Sequence, residues 1–131
     1  MKGFKGNIEN LTIENDNFRK VIYTGKNLQL VLMNLQVGED IGLEIHKNID
    51  QFFRFESGEG KCIIDNNEYT VTEGDAIVVP AGAQHNIINT GATSFKFYTV
   101  YAPPNHQDGT LRRTKKEAEN KEEVFDGKTT E

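Results

Sequence analysis

Nine short runs of apolar or alternating residues, each followed by turn-forming residues, fill the chain from Phe18 to Ala102. The runs are five to ten residues long and read FRKVIYT, LQLVLMNLQV, GLEIH, DQFFRFES, KCIID, EYTVT, DAIVVP, HNIIN and SFKFYTVYA. Strand-length runs of this kind, separated by turns, are typical of an all-β sandwich or barrel. No helix of ordinary length fits within this region.

Two of the turns can be interpreted residue by residue. Asn66 and Asn67 separate KCIID from EYTVT, and asparagine tolerates a positive φ angle, so a tight hairpin turn is predicted there. Pro80 ends the run DAIVV, because proline has no N–H to donate to a sheet ladder. These signals place a hairpin and a sharp corner within one barrel, which we assign to residues 18–104.

The two ends of the chain differ from the barrel. Residues 1–17 are largely polar and are predicted to form an N-terminal edge segment that docks through Leu11 and Ile13. Residues 105–131 are predicted to form a loop, a short helix and a charged tail. The helix begins at Thr114, which forms a capping box with Glu117, and it should end before Gly127. The rest of this segment should be solvated and its end frayed.

Composition narrows the class of protein. A chain of 131 residues with 36% apolar residues suffices for one domain with a single core. The net charge of -5 disfavours a nucleic-acid partner, which would require a basic surface. No apolar span is long enough for a membrane helix, and no signal sequence is recognisable, so a cytoplasmic protein is expected. The single cysteine, Cys62, excludes an internal disulfide and is expected to be a buried strand residue.

Several side chains that can bind metals fall in strand-like runs. Glu44 and His46 are two positions apart, and side chains alternate across a strand, so both should point to one face. Gln51 begins the next run and can bring its amide oxygen to the same face. His85 follows the corner at residues 80–82, which can aim its imidazole at the same point. His106 lies in the loop PPNHQDG and is expected at the surface or the barrel mouth rather than as a ligand.

The spacing of these residues resembles the two sequence motifs of the cupin superfamily. The first motif is matched by Gly38, Glu44, His46, Gln51 and Gly58, with a glutamate in place of the first histidine and a glutamine in place of the carboxylate. The second is matched at every position by Gly74, Pro80, Gly82, His85 and Asn89. The chain is similar to small single-domain cupins often labelled mannose-6-phosphate isomerase-like.

The resemblance implies a fold and a metal site. The fold is a double-stranded β-helix, the cupin or jelly-roll barrel, here with a short C-terminal helix. The implied metal ligands are Glu44, His46, Gln51 and His85. Two histidines and one carboxylate also form the ligand set of non-haem iron sites, and a divalent Fe, Mn, Ni, Zn or Co ion is compatible with these donors. Sequence does not choose among these metals.

Strand alternation also predicts a pocket for a small-molecule ligand. If Gln51 points inward, Phe53 and Phe55 do so too, and Phe52 points outward. Ile87 and Asn89 follow His85 on the inner face. The last run has two possible orientations: one places Phe95, Phe97, Thr99 and Tyr101 inside, and the other places Lys96, Tyr98 and Val100 inside. Tyr98 is accordingly included among the candidate pocket residues with Phe53, Phe55, Ile87 and Asn89.

These features support one leading function and two alternatives. The leading function is a metal-binding cupin that coordinates a small organic ligand in the barrel mouth, with isomerase-like or dioxygenase-like chemistry. No general base stands out among Tyr98, Tyr101 and His106. The first alternative is a non-catalytic sensor or binding module that uses the charged C-terminal segment, and the second is a metal-free barrel. A homodimer is expected, since cupins are mostly dimers and Phe52 points outward.

Overall fold

Ten strands and two short helices make up the protein, and a computed structural model describes all of its residues, 1–131. The helices are α1 (Ile8–Glu14) and α2 (Lys115–Asn120). The strands are β1 (Arg19–Thr24), β2 (Gln29–Leu35), β3 (Glu44–Ile45), β4 (Asp50–Ser57), β5 (Glu59–Ile64), β6 (Asn67–Thr72), β7 (Ala76–Val79), β8 (Gln84–Asn89), β9 (Phe95–Ala102) and β10 (Leu111–Arg112). Nine of these strands correspond to the nine predicted runs, and β10 is additional. No helix is of a length and apolarity that would cross a lipid bilayer.

The strands form two sheets. The larger has the order β10-β1-β2-β9-β4-β7 and the smaller the order β3-β8-β5-β6, and neighbouring strands are antiparallel throughout. Consecutive strands β4 and β5 lie in different sheets, as do β7 and β8, which is the winding of a double-stranded β-helix. The predicted all-β fold with a short C-terminal helix is therefore confirmed.

A cluster of phenylalanine rings forms the centre of the core. Phe53 and Phe55 on β4 and Phe95 and Phe97 on β9 are fully buried, and the rings of Phe55 and Phe95 are stacked with centroids 4.9 Å apart. Strand alternation brings all four to the inner face. Burial of each ring stabilises the fold by about 1.5–3 kcal/mol.

The burial of β9 decides between its two predicted orientations. Phe95, Phe97, Thr99 and Tyr101 are buried, and the intervening residues are only partly covered. Tyr98 therefore lies on the outer face, where its ring centroid is 6.3 Å from that of Phe52. Its assignment to the interior pocket was wrong, because aromatic residues occupy both faces of this strand and the sequence alone fixed no parity.

The N-terminal segment and the hairpin also differ from the predictions. Residues 8–14 are a helix capped by Asn7, and α1 packs against β4 and β9 with Thr12 buried. Of the two predicted docking residues, Leu11 is partly buried and Ile13 is exposed. In the hairpin, Ile64 pairs with Asn67, and the residue with positive φ is Asp65. The turn is thus one residue earlier than predicted.

The C-terminal segment is more ordered than predicted. Thr114 caps α2 by accepting a hydrogen bond from the backbone N–H of Glu117, as the capping box requires, but the helix ends at Asn120 rather than near Gly127. Beyond it, the N–H of Phe125 donates to the carbonyl of Asn105. The backbone N–H of Thr130 likewise donates to Thr24, so backbone hydrogen bonds hold the tail against the barrel instead of leaving it frayed.

Candidate metal centre

Three predicted ligands meet at the open end of the smaller sheet. Nε2 of His46 lies 3.1 Å from Oε2 of Glu44, and Nε2 of His85 lies 4.0 Å from the same oxygen. One ligand atom from each residue can be chosen so that all three lie within 4.8 Å of one another. The structure therefore brings Glu44 and His46, from one predicted run, together with His85 from another.

Strand geometry explains this convergence. Glu44 and His46 point to the same side because they are two positions apart in an extended segment. Glu44 is also the direct cross-strand partner of His85 in the antiparallel pair of β3 and β8. Directly opposed side chains on one sheet face are close neighbours. The two-residue spacing of Glu44 and His46 and the register of β3 against β8 thus bring the three side chains together.

The proline–glycine corner before β8 is tied to the segment that carries His46. The N–H of Ala81 donates to a carboxylate oxygen of Asp50 at 2.8 Å, and the N–H of Gly82 donates to the carbonyl of His46 at 2.8 Å. Gly82 has a φ of +89°, a conformation that a side chain would strain. These bonds fix where β8 begins and so where the imidazole of His85 points.

The hydrogen bonds of His85 leave one ring nitrogen available. Its Nδ1 lies 3.2 Å from the carbonyl oxygen of Ala83, which can only accept, so Nδ1 carries the proton. Its Nε2 is buried and has no hydrogen-bond partner. An imidazole whose Nδ1–H is held by a backbone carbonyl presents Nε2 as a metal ligand.

The electrostatics of the group suit a cation. Burial would raise the pKa of Glu44, but the hydrogen bond from His46 and the charges of His46, Arg19 and His85 outweigh burial and hold this pKa below its usual value. Burial is also the main reason that the pKa of His85 is lowered. Near neutral pH the site thus offers a carboxylate and a neutral imidazole, the protonation states that a metal requires.

A divalent ion fits these donors. Two ligand atoms at right angles, each about 2.1 Å from an ion, are about 3.0 Å apart. The observed separations of 3.1 Å and 4.0 Å need only small side-chain movements to reach that spacing. The unpartnered Nε2 of His85 would gain a partner, and the remaining coordination positions would be open to solvent or a ligand.

The fourth predicted ligand, Gln51, is buried next to β9. Its Nε2 donates to the hydroxyl oxygen of Thr99 at 2.9 Å, while its Oε1 is buried without a hydrogen-bond partner. An unpartnered buried carbonyl oxygen is costly and is compatible with a role as a ligand or as an acceptor for a bound water. Direct coordination by Gln51 stays a prediction.

A cavity of about 440 Å³ opens beside this site. Its barrel side includes Arg19, Glu44 and His46, and its outer wall comes from the C-terminal segment, with His106, Lys115 and Glu123 among the lining residues. Lys115 at the start of α2 forms an ion pair with Asp40 of the barrel. The C-terminal segment is therefore one wall of the cavity rather than a solvated extension.

The predicted pocket residues lie deeper than this cavity. Phe53, Phe55 and Ile87 are fully buried core residues, although the ring of Phe53 is near that of His85, at 6.4 Å between centroids. Asn89 donates from its amide to the carbonyls of Leu35 and Thr93 and so has a structural role. None of these four side chains, nor Tyr98, lines the cavity. Strand alternation correctly predicted that the first four side chains point inward, but it did not predict how far below the cavity they lie.

A chain of polar contacts runs from Tyr101 on β9, behind the cavity wall, into the C-terminal segment. The hydroxyl of buried Tyr101 is 3.2 Å from Nε2 of His106, and Nδ1 of His106 is 3.3 Å from a carboxylate oxygen of Glu123. Glu123 in turn binds Arg112 at 2.6 Å. Burial raises the pKa of Tyr101 and lowers that of His106, so both are neutral at pH 7. His106 is therefore a buried residue that lines the cavity, which agrees with the predicted position at the barrel mouth and not with the alternative position at the surface. It is not one of the three converging side chains.

Two charged residues of this cavity that sequence reasoning did not identify are Arg19 and Glu123. Arg19 is on the inner face of β1 together with Val21, so strand parity within FRKVIYT could have indicated its direction. Glu123 lies in a polar segment with no apolar periodicity, and no local signal marks it. Its contacts with His106 and Arg112 depend on long-range packing.

The amino-acid sequence is similar to one family of β-barrel proteins. A sequence profile described as "Cupin domain" matches residues 31–101. Protein YrkC of Bacillus subtilis (strain 168) is 50% identical over 123 residues, covering 89% of this chain and 66% of YrkC, which is slightly less than two thirds of that relative's length.

Two solved structures show the same architecture. The crystal structure of BH2720 from Bacillus halodurans superposes with a TM-score of 0.90 at 44% identity, covering 92% of this chain and 96% of that chain. A predicted oxalate decarboxylase from Thermotoga maritima has a TM-score of 0.57 at 26% identity, covering 60% of this chain and 69% of that chain.

Proposed function

The chain belongs to the cupin superfamily, and on that premise we propose that it binds a divalent metal ion and coordinates a small organic ligand at the mouth of the barrel. Glu44, His46 and His85 would hold the ion, with Gln51 as a candidate fourth ligand. The observation that carries the proposal is the buried Nε2 of His85, which has no hydrogen-bond partner and faces the carboxylate of Glu44.

The chain's own residues suggest how a ligand would be held. The cavity beside the metal ligands has room for a small molecule, and its wall combines cationic, anionic and apolar groups. A bound dication would supply Lewis acidity toward a carbonyl or enediolate, or oxygen activation if it is iron. Tyr101, whose ring lies beside that of His46, and His106, which lines the cavity, are neutral groups that could donate or accept a proton. Isomerase-like and dioxygenase-like chemistry are both compatible with this set.

Metal quantification tests the proposal. Protein purified without chelators, and the same protein reconstituted with Fe, Mn, Ni, Zn or Co ions in turn, should contain one ion per chain. The His85→Ala variant should lose the ion, while Glu119→Gln, a change in the wall of the same cavity, should retain it. A wild-type chain that stays metal-free after reconstitution would support a metal-free barrel instead.

A second candidate function is a non-catalytic sensor or binding module. The supporting observation is that α2 and the following residues wall the cavity, so ligand occupancy could alter their contacts with the barrel. Ligand affinity of a chain shortened from Thr114 onward provides the test. The sensor proposal requires a changed affinity or assembly, and an unchanged pair of values would contradict it.

A further inference from the structure

Arg19 is an arginine buried on the inner face of the barrel. It begins β1, its side chain lies on the same face as Val21, and the residue is only 9% exposed. It lines the cavity together with Glu44, His46 and His106. Arginine is rarely buried to this degree unless it is paired with an anion.

The guanidinium of Arg19 has no such partner in the protein. It takes part in no ion pair or side-chain hydrogen bond, and its Nε is buried without an acceptor. The guanidinium lies over the ring of Phe18, 5.3 Å from the ring centroid. The other cations of this cavity and its rim are neutralised, Arg112 by Glu123 and Lys115 by Asp40.

This unpaired charge cannot be removed by deprotonation. A guanidinium keeps its proton at all physiological pH values, unlike a buried lysine or histidine. A buried charge without a partner is unfavourable, so an anion that binds at this position would stabilise the folded protein. The planar group also matches the two oxygens of a carboxylate.

The location of the charge connects it to the metal centre. Burial is the largest influence on the pKa values of Glu44, Tyr101 and His106, and the positive charge of Arg19 lowers all three as well. Arg19 therefore acts on the same space as the metal ligands and the polar contacts behind them. An anion bound to Arg19 would lie in the cavity beside the ion.

The charge of the cavity wall selects the kind of anion. Four glutamates line the cavity, at positions 44, 119, 122 and 123, against the two cations Arg19 and Lys115. Such a wall opposes a compact dianion such as phosphate, which would place both of its charges beside Arg19, more strongly than it opposes one carboxylate at that position. A second carboxylate is favourable only where it lies against the dication. The ligand also needs a second oxygen if it is to reach an open coordination position of the ion.

We propose that Arg19 binds the carboxylate of a small carboxylic acid whose second oxygen group, a hydroxyl, oxo or further carboxylate, coordinates the metal. This inference deepens the proposed function and rests on it. Arg19 is assigned as a ligand-binding residue that sets specificity for acids over neutral analogues.

Calorimetric titration of the metal-loaded protein tests this assignment. The probes are glycolate, oxalate, malonate, succinate and 2-oxoglutarate, with malonamide as the neutral analogue and inorganic phosphate as the competing anion. At least one acid should bind more tightly than both controls. Arg19→Met should weaken that acid about 10- to 100-fold, the range expected for loss of a hydrogen-bonded charge. Arg19→Lys should have a smaller effect, because it keeps the charge and loses the planar fork.

Arg113→Met is the matched control, since Arg113 is an exposed arginine and its loss changes the net charge equally. It should bind the acid like the wild type. Arg19→Met should be at least as resistant to urea as the wild type without ligand, because it removes an unpaired buried charge. If Arg19→Met does not fold, the comparison of Arg19→Lys with Arg113→Met carries the test.

The outcomes separate this inference from the proposed function. Equal acid affinity in the wild type and the Arg19 variants would overturn the role of Arg19 while leaving the metal centre in place. Absence of binding by every acid, equal binding of malonamide, or tighter binding of phosphate would also overturn it. Failure to load metal, measured separately, would contradict the proposed function itself.

Discussion

Replacement of Glu44 by glutamine removes the anionic member of the proposed metal site with almost no change in shape. The side chain of Glu44 is 31% exposed, so its loss from the metal-free protein removes a partly solvated contact with His46. Contacts of this kind are worth less than about 1 kcal/mol. We therefore expect Glu44→Gln to unfold at nearly the wild-type urea concentration when no metal is present.

The metal-bound protein should respond very differently. Loss of a residue that merely orients a metal ligand weakens affinity by about 10- to 100-fold, so removal of a charged direct ligand should weaken it by about 100-fold or more. Metal at 100 times its wild-type dissociation constant stabilises the wild type by about 2.7 kcal/mol, but it stabilises a variant with 100-fold weaker binding by about 0.4 kcal/mol. The expected loss of metal-linked stability is therefore about 2.3 kcal/mol.

Urea unfolding at matched metal concentrations measures this difference. Glu119→Gln serves as the control, because Glu119 carries the same charge in the same cavity and lies outside the ligand group. It should keep the full metal-linked stabilisation. An equal gain for wild type and Glu44→Gln would refute the assignment of Glu44 as a ligand, whatever the cause of its lowered pKa.

Three further changes test the surroundings of the site. Gly82→Ala should lower the free energy of unfolding in urea by about 1–2 kcal/mol, because the φ of +89° is strained for alanine although a Cβ would meet no atom within 4 Å. The substitution should also weaken metal binding by moving His85. A variant as stable as the wild type would contradict this interpretation. Glu123→Gln should destabilise by about 1–3 kcal/mol above about pH 6. Contacts with His106 and neighbouring charges hold the pKa of Glu123 low despite burial, so the stabilising effect of Glu123 is lost as the pH falls through that pKa. A pH-independent difference in urea unfolding between the variant and the wild type would contradict the ion pair of Glu123 with Arg112. Cys62 should react with a disulfide reagent only upon unfolding, because burial raises its pKa to about 11; rapid modification of the native protein would show the thiol to be accessible.

The strand positions could be predicted because they depend on local alternation. The run DQFFRFES coincides with β4, and its parity correctly turned Gln51, Phe53 and Phe55 inward. The same reasoning failed for Tyr98, since helix α1 covers part of the outer face of β4 and β9 and apolar residues are found on both faces. Hydrophobic periodicity predicts the orientation of side chains more reliably for a strand with one solvent-exposed face than for a strand covered on both faces.

The three converging side chains could be predicted from the sequence because Glu44 and His46 are two residues apart and His85 lies in a regular motif. In the structure Glu44 is also the direct cross-strand partner of His85. The cavity wall was not accessible, because Glu123 reaches His106 only after the C-terminal segment folds back over the barrel. Nothing in the local composition of that segment distinguishes a docked tail from a solvated one.

A crystal structure of the reconstituted protein, with anomalous diffraction recorded at the absorption edge of the added metal, tests the central claim most directly. One anomalous peak should lie about 2.0–2.3 Å from Oε2 of Glu44, Nε2 of His46 and Nε2 of His85. A peak elsewhere in the molecule, or no peak at this position in protein shown to contain metal, would contradict the metal centre on which the functional account depends.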